Sequence, residues 1–347
     1  MTNHSVANGI KMNGGFLCYR VKALSLIVLS IAGGLCAGSS RCRAREVRMI
    51  DINQTVEHLD DHLTALTVTI GERSVRRPEN ITKAASYIKK FYQSINLEVI
   101  HQTYRYQQLT VANVVTSLTS GPSFDRHYIL GAHYDSVAGT VGADDNASAV
   151  AVQLETARHL KRLQNRLNQD VKVTFVSFAL EEPPVYGTRY MGSRVYATAA
   201  RKAGQRIDGM ICLEMVGCTC QEPGCQRYPF PLMFGRYPKQ GNFIGIVGNG
   251  PSRRLTKKLK KAFRGNAADL PVITLNVLFS GYLMPSVRLS DHAAFWDQGY
   301  PAVMVTDTAF FRNPHYHQAT DTKERLDLRF MAELVESLVL FFSKTQH

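Results

Sequence analysis

The sequence predicts an α/β protein with a mixed, largely parallel central sheet and helices on both faces. Three observations carry that expectation. Short apolar, β-rich runs alternate with segments whose apolar residues recur at helical spacing, and that alternation builds parallel sheets layered by helices. Charged residues collect just beyond the ends of those runs, where open sheets form their sites. A chain of 347 residues with 45% hydrophobic content can bury a full core, which excludes disordered and fibrous classes.

The first long apolar stretch, "ALSLIVLSIAGGLCAG" (23–38), follows Arg20 and Lys22 and precedes small residues. It is shorter than the ~20 residues of a membrane span and reads as a secretory leader. Residues 1–40 are therefore expected to be a signal peptide cleaved near Gly38 or Ser40, or an anchor if left uncleaved. Lipid attachment at Cys36 is disfavoured by bulky Leu35 beside it. The mature protein is expected to be exported, to the periplasm or outside the cell, with membrane contact only through an uncleaved leader.

Two amphipathic helices come next, at 52–67 and 78–95, the second with Pro78 in its first turn. Strands are expected at 97–106, 109–118, 127–133, 171–180, 207–216, 242–248, 271–278 and 301–307. A helix over 147–163 follows the third strand, and a last one over 328–342 closes the chain. No Pro/Gly/Ser linker or internal repeat divides residues 45–347, so they are read as one domain.

The formal net charge of +13 owes much to "RCRAREVR" (41–48) and "SRRLTKKLKKAFRG" (252–265). The second reads as the solvated face of a helix. No zinc finger, aromatic-rich RNA motif or helix-turn-helix pattern accompanies the charge, so nucleic-acid binding is not expected. In "CTCQEPGC" (218–225) the spacing lacks the paired C-x2-C knuckles of structural zinc, and export favours a disulfide from Cys218 or Cys220 to Cys225, with one thiol of the odd mature set left free.

The chemistry gathers at strand ends. "GAHYDSVAGTVGADDNAS" (131–148) carries His133, Asp135, Asp144 and Asp145; Glu181 and Glu182 follow the next strand, Glu214 another, and His315 and His317 the last. A single acid at a strand end is usually a turn former or helix cap. His, Asp, Glu-Glu, Glu and His at four ends of one sheet would instead converge on one crevice, and carboxylates so crowded repel unless divalent cations lie between them. A mononuclear catalytic zinc takes three protein ligands. His133, Asp145, Glu182, Glu214 and His317 make five, enough for two ions if Asp145 bridges, and such ions ~3.5–4 Å apart share the work of one hydrolytic site.

These motifs resemble the co-catalytic zinc aminopeptidases of metallopeptidase family 28, clan MH, which also includes glutamate carboxypeptidase II and glutaminyl cyclase. The likeness runs from about Leu97 to the C-terminus through "GAHYDS", "GADDNAS", "ALEEPP", "LEMVG", "SDHAAFWDQGYPA" and "NPHYHQATDT". It implies that His133, Asp145 and Glu214 hold one zinc and Asp145, Glu182 and His317 the other, with cobalt or manganese as substitutes. Glu181 looks like the general base, and Asp135 like the carboxylate that orients His133. Asp291 and His292 look like a helix cap and supporting groups. For the oxyanion donor, Tyr282 and Arg288 both qualify.

The resemblance implies an exopeptidase acting on the free amino end of peptides. Asp145, Glu181, Glu182 and Glu214 carry four negative charges against the four positive charges of two zinc ions, a setting suited to an amine. A substrate carboxylate would need an Arg or Lys clamp, and Arg189, Arg227 and Arg288 lie close enough in sequence to supply one. The competing readings are a carboxypeptidase on the same site, then a glutaminyl cyclase with a single zinc, then a binding protein that has lost its ligands. A serine hydrolase lacks its G-x-S-x-G elbow here.

Overall fold

The computed structural model describes residues 49–167, 171–265 and 270–343. The leader, its cleavage and Cys42 lie outside the described residues. Within them, no helix is long and apolar enough to cross a membrane.

Helix α1 (Ile52–Leu63) begins where the Asp51 carboxylate accepts the N–H groups of Asn53 and Gln54, and the chain continues in wider turns to Ile70. Helix α2 (Pro78–Ser94) starts on its proline, whose missing N–H costs nothing in a first turn. Strands β1 (Val99–Tyr106) and β2 (Leu109–Thr119) form an antiparallel hairpin at one sheet edge. β1 is half exposed, as an edge allows.

Then the strands turn inward. β3 (Arg126–His133), β4 (Val171–Phe178), β5 (Gly209–Glu214) and β8 (Ala302–Thr306) lie parallel in the order β4-β3-β5-β8 and are buried almost throughout. Their near-continuous apolar sequence is what two covered faces require. β6 (Ile244–Asn249) runs antiparallel to β8, and β7 (Val272–Val277) parallel to β6, which completes the order β1-β2-β4-β3-β5-β8-β6-β7.

On one face α1, α2, α3 (Ala149–Arg162), α5 (Arg253–Arg264) and α7 (Leu328–Phe342) share a core around Leu59, Ile88, Leu154, Leu259 and Leu338. On the other, α4 (Gly192–Lys202) and α6 (His292–Asp297) close a smaller core with Phe178, Phe295 and Trp296. The mixed sheet and two-sided cover are those the sequence predicts.

Cys220 and Cys225 form the disulfide across the "QEPG" turn, which resolves the choice left open by the sequence. Among the described residues, two buried thiols, Cys212 and Cys218, remain free, where a single free one was expected.

Candidate metal centre

The parallel strands deliver the site. His133 ends β3, Glu214 ends β5, and Glu181 and Glu182 follow β4. Asp145 sits in the turn before α3, and His317 in the loop after β8. Three of these positions use left-handed backbone at residues other than glycine: Leu180 just before Glu181, Met215 just after Glu214, and His317 itself. Such residues persist only where their surroundings hold them, and they cluster at functional sites.

The donors fall into two sets. His133 Nε2 lies 3.3 Å from Asp145 Oδ1 and 3.5 Å from Glu214 Oε2. His317 Nε2 lies 3.2 Å from Asp145 Oδ2 and 3.3 Å from Glu182 Oε2. Two ligands each about 2.1 Å from a tetrahedral zinc stand about 3.4 Å apart, so these separations match donors aimed at a common ion rather than at one another. His133 Nε2, Asp145 Oδ1 and His317 Nε2 are buried with no hydrogen-bond partner. Buried polar atoms rarely stay unpaired without a ligand to serve. The residues present therefore fit divalent zinc, and the one carboxylate common to both sets is Asp145.

Glu181 belongs to neither set. Its Oε2 is 4.0 Å from His133 Nε2, and the side chain is buried beside the donors. Asp135 ties the pieces together: Oδ1 is 3.4 Å from His133 Nδ1 and accepts the N–H of Glu181, while Oδ2 accepts the N–H of Glu182.

The electrostatics record the crowding. Burial raises the Glu181 carboxyl well above its ordinary range, with Glu182, Glu214 and Asp291 adding to the rise against His133. Burial and Asp145 push Glu182 up to about 8. Burial opposes the charge on His317, but Asp145 and Glu182 outweigh it and raise the imidazole to about 10. Carboxylates so crowded and buried favour a divalent cation between them, which would offset these rises.

The alternatives are placed elsewhere. Asp144 turns away from the cluster and accepts from Gly217 N and Asn313 Nδ2. Although it approaches Cys218 and Asp307, the Asp307 oxygens are taken by the N–H groups of Cys218 and Ala309. His315 bonds Thr320 Oγ1 at the surface. Asp291 and His292 are buried at the start of α6, but Asp291 makes no capping bond, contrary to expectation, and His292 Nε2 faces Val287 O.

Neither expected oxyanion donor reaches the cluster with its polar end. Arg288 bonds Asp297 and Ser280 O, and its guanidinium stacks on Tyr282, whose exposed hydroxyl also turns to Asp297. Their three-way attraction wins over the site. Tyr316 adjoins the donors: its ring stacks on His317 at 3.8 Å, and burial with Asp145, Glu182, Glu214 and Glu181 raises its phenol far above the ordinary range.

Sequence reasoning missed the groups behind the donors. Asp321 accepts from Asp144 N and Asp145 N, and Ser290 donates to Glu214 Oε2 at 2.6 Å. Both stood inside motifs already noted, as the Asp of "ATDT" and the Ser of "SDH". Arg73 had no local signal. Fully buried, its guanidinium donates to five carbonyls, those of Tyr134, Leu66, Gly71, Val141 and Gly142, and so pins both ends of the loop between His133 and Asp145.

Beside Glu214 and Tyr316 opens a cavity of about 100 Å³ with apolar walls that include Met233, Val247, Leu275, Met284 and Val287. Of the three arginines considered for a carboxylate clamp, Arg227 lines this cavity, Arg189 bonds and stacks on Tyr190, and Arg288 is held by Asp297.

Comparison with known proteins gives the family and the fold. The model of Peptidase family M28 matches residues 113–341. The uncharacterized protein YfbL of Escherichia coli K12 is 36% identical over 291 residues, 82% of this chain and 86% of its own length. A probable zinc metalloprotease of Pyrenophora teres f. teres is 26% identical over 300 residues, covering 77% of this chain; the chain spans only 58% of that longer relative. Among solved structures, the LapA aminopeptidase of Legionella pneumophila shares the fold, with a TM-score of 0.63 at 18% identity over 85% of this chain and 75% of its own.

Proposed function

Because the chain belongs to peptidase family M28 and is thereby a metal-dependent peptidase, we propose that it is a di-zinc aminopeptidase removing single residues from the free amino ends of peptides. The observation that carries this reading is the pair of donor sets sharing Asp145, one with His133 and Glu214 and one with His317 and Glu182. A glutaminyl cyclase needs only one zinc, which would leave a buried histidine and glutamate idle. When bound, zinc supplies an acidified water and a Lewis acid toward the scissile carbonyl.

The chain's own residues do the rest. Glu181, buried and outside both sets, takes the proton of the attacking water and passes it to the leaving amine. Asp135 fixes the His133 tautomer and the backbone from which Glu181 and Glu182 project. Tyr316 O–H donates to the oxygen that gains charge, replacing Tyr282 and Arg288 in that role. The carboxylates around the site suit a free α-amine, and the apolar cavity beside Glu214 takes the first side chain.

Arg227 on the cavity wall is the observation that favours a carboxypeptidase instead. One peptide offered free, N-acetylated and C-amidated separates the two. The expected result is that acetylation abolishes cleavage and amidation leaves it intact; the reverse pattern would overturn the aminopeptidase reading. Among aminoacyl-p-nitroanilides, apolar first residues should be cleaved and a chelator should stop the reaction.

A further inference from the structure

We propose that the outward face of α5, with the groove beside it, docks the protein on a membrane surface rich in anionic phospholipid headgroups. Helix α5 carries Arg253, Arg254, Lys257, Lys258, Lys260, Lys261 and Arg264 and no acidic residue, while Leu255, Leu259, Ala262 and Phe263 turn into the core. Arg253–Lys257, Arg254–Lys258, Lys257–Lys261 and Lys260–Arg264 are like-charged neighbours four residues apart, a spacing that destabilises a helix facing only water. Other helices offset such charge with acids of their own: Glu155 pairs with Arg158 on α3, and Arg329 with Glu333 on α7. Among the described residues, no carboxylate forms an ion pair with Arg253, Arg254, Lys257, Lys260 or Arg264.

A groove of about 290 Å³ extends the positive surface past Arg254 and Lys258 to Arg126 and Arg206. Its one acid, Asp208, is already bonded to Arg206 and to His127 N. Partial burial lowers the Lys258 ammonium, and Arg126 and Arg254 lower it further against Asp208, which reflects the positive charge gathered there. Exposed Phe124, with Lys172 over its ring, stands beside this end of the sheet, an aromatic beside cations as at membrane interfaces.

Two further observations favour lipid over nucleic acid. The face offers one exposed aromatic rather than a series on which bases stack. Met49, the first described residue, donates its N–H to Glu336 of α7, the helix against which α5 packs. The sequence before Met49 adds the apolar run 23–38 and Arg41, Arg43, Arg45 and Arg48, a composition suited to an anionic lipid surface. Arg126 opens β3 and His133 ends it, so about 23 Å of strand separates the groove from the metal centre. Docking would leave the catalytic cleft facing water and soluble peptides.

The test is co-sedimentation of the full chain with phosphatidylcholine vesicles, with and without phosphatidylglycerol, over a range of salt. Binding should require phosphatidylglycerol, weaken with salt, and fall by about tenfold or more in the Arg253→Glu/Lys257→Glu/Arg264→Glu variant. Peptidase activity and melting temperature should stay unchanged in that variant. Should the triple variant fail to fold, Lys257→Gln and Arg264→Gln singly should each lower binding up to about fivefold. Equal binding to neutral vesicles, which an inserted leader would give, overturns the proposal. So does binding unaffected by the α5 variants, or tighter binding to duplex DNA than to the anionic vesicles.

Discussion

Glu181→Gln should leave the metal content intact and lower kcat by ~10²–10⁴-fold, the range over which a positioned base contributes. The amide keeps the size and burial of the side chain but cannot hold a proton. Since Glu181 stands outside both donor sets, zinc analysis of the variant should match the parent. KM should change little, because the lost interaction acts on the transition state. Burial and the neighbouring carboxylates raise the Glu181 carboxyl; cations in the site pull it back down, so parent activity should rise with pH as this carboxyl ionises. A variant with full zinc and normal turnover would remove Glu181 from the mechanism.

The second large effect concerns the bridge. Asp145 faces His133 with one oxygen and His317 with the other, so Asp145→Ala should lower metal content at both positions at once. Activity should fall by more than the ~10–100-fold typical of losing an outer hydrogen-bond partner. His317→Ala, by contrast, should lower the content by one ion. Titrating chelator-stripped parent with zinc should restore activity over two equivalents per chain, and thermal stability should climb along with it, since a ligand that binds only the folded state stabilises it. Full activity at one equivalent, with no second ion taken up, would refute the paired centre.

Much of this was readable in the sequence, because sheet topology turns separate strand ends into neighbours. His133, Glu181, Glu182, Glu214 and His317 each follow an apolar run, and parallel pairing brings those ends together. What sequence does not show is where a side chain finds its best partner. Arg288 and Tyr282 lie near the motifs, yet Asp297 holds them. Arg73 lies far from any motif, yet three of its five carbonyl partners belong to the loop that begins at Tyr134 and closes at Gly142. Long-range hydrogen bonds of this kind leave no periodicity behind. Tyr316 was passed over for a related reason: its place was set by stacking on the adjacent histidine, a contact that local spacing does not distinguish from an ordinary loop tyrosine.

One carboxylate makes the machinery indivisible. Asp135 meets His133 through one oxygen and the two glutamate N–H groups through both, so the two proposed metal ligands His133 and Glu182 and the proposed base share a single mechanical mount. Losses from mutating such residues should not add. In a thermodynamic cycle, Asp135→Asn combined with Glu181→Gln should cost much less than the sum of the separate penalties, because once the mount has shifted there is little catalysis left for the second change to remove.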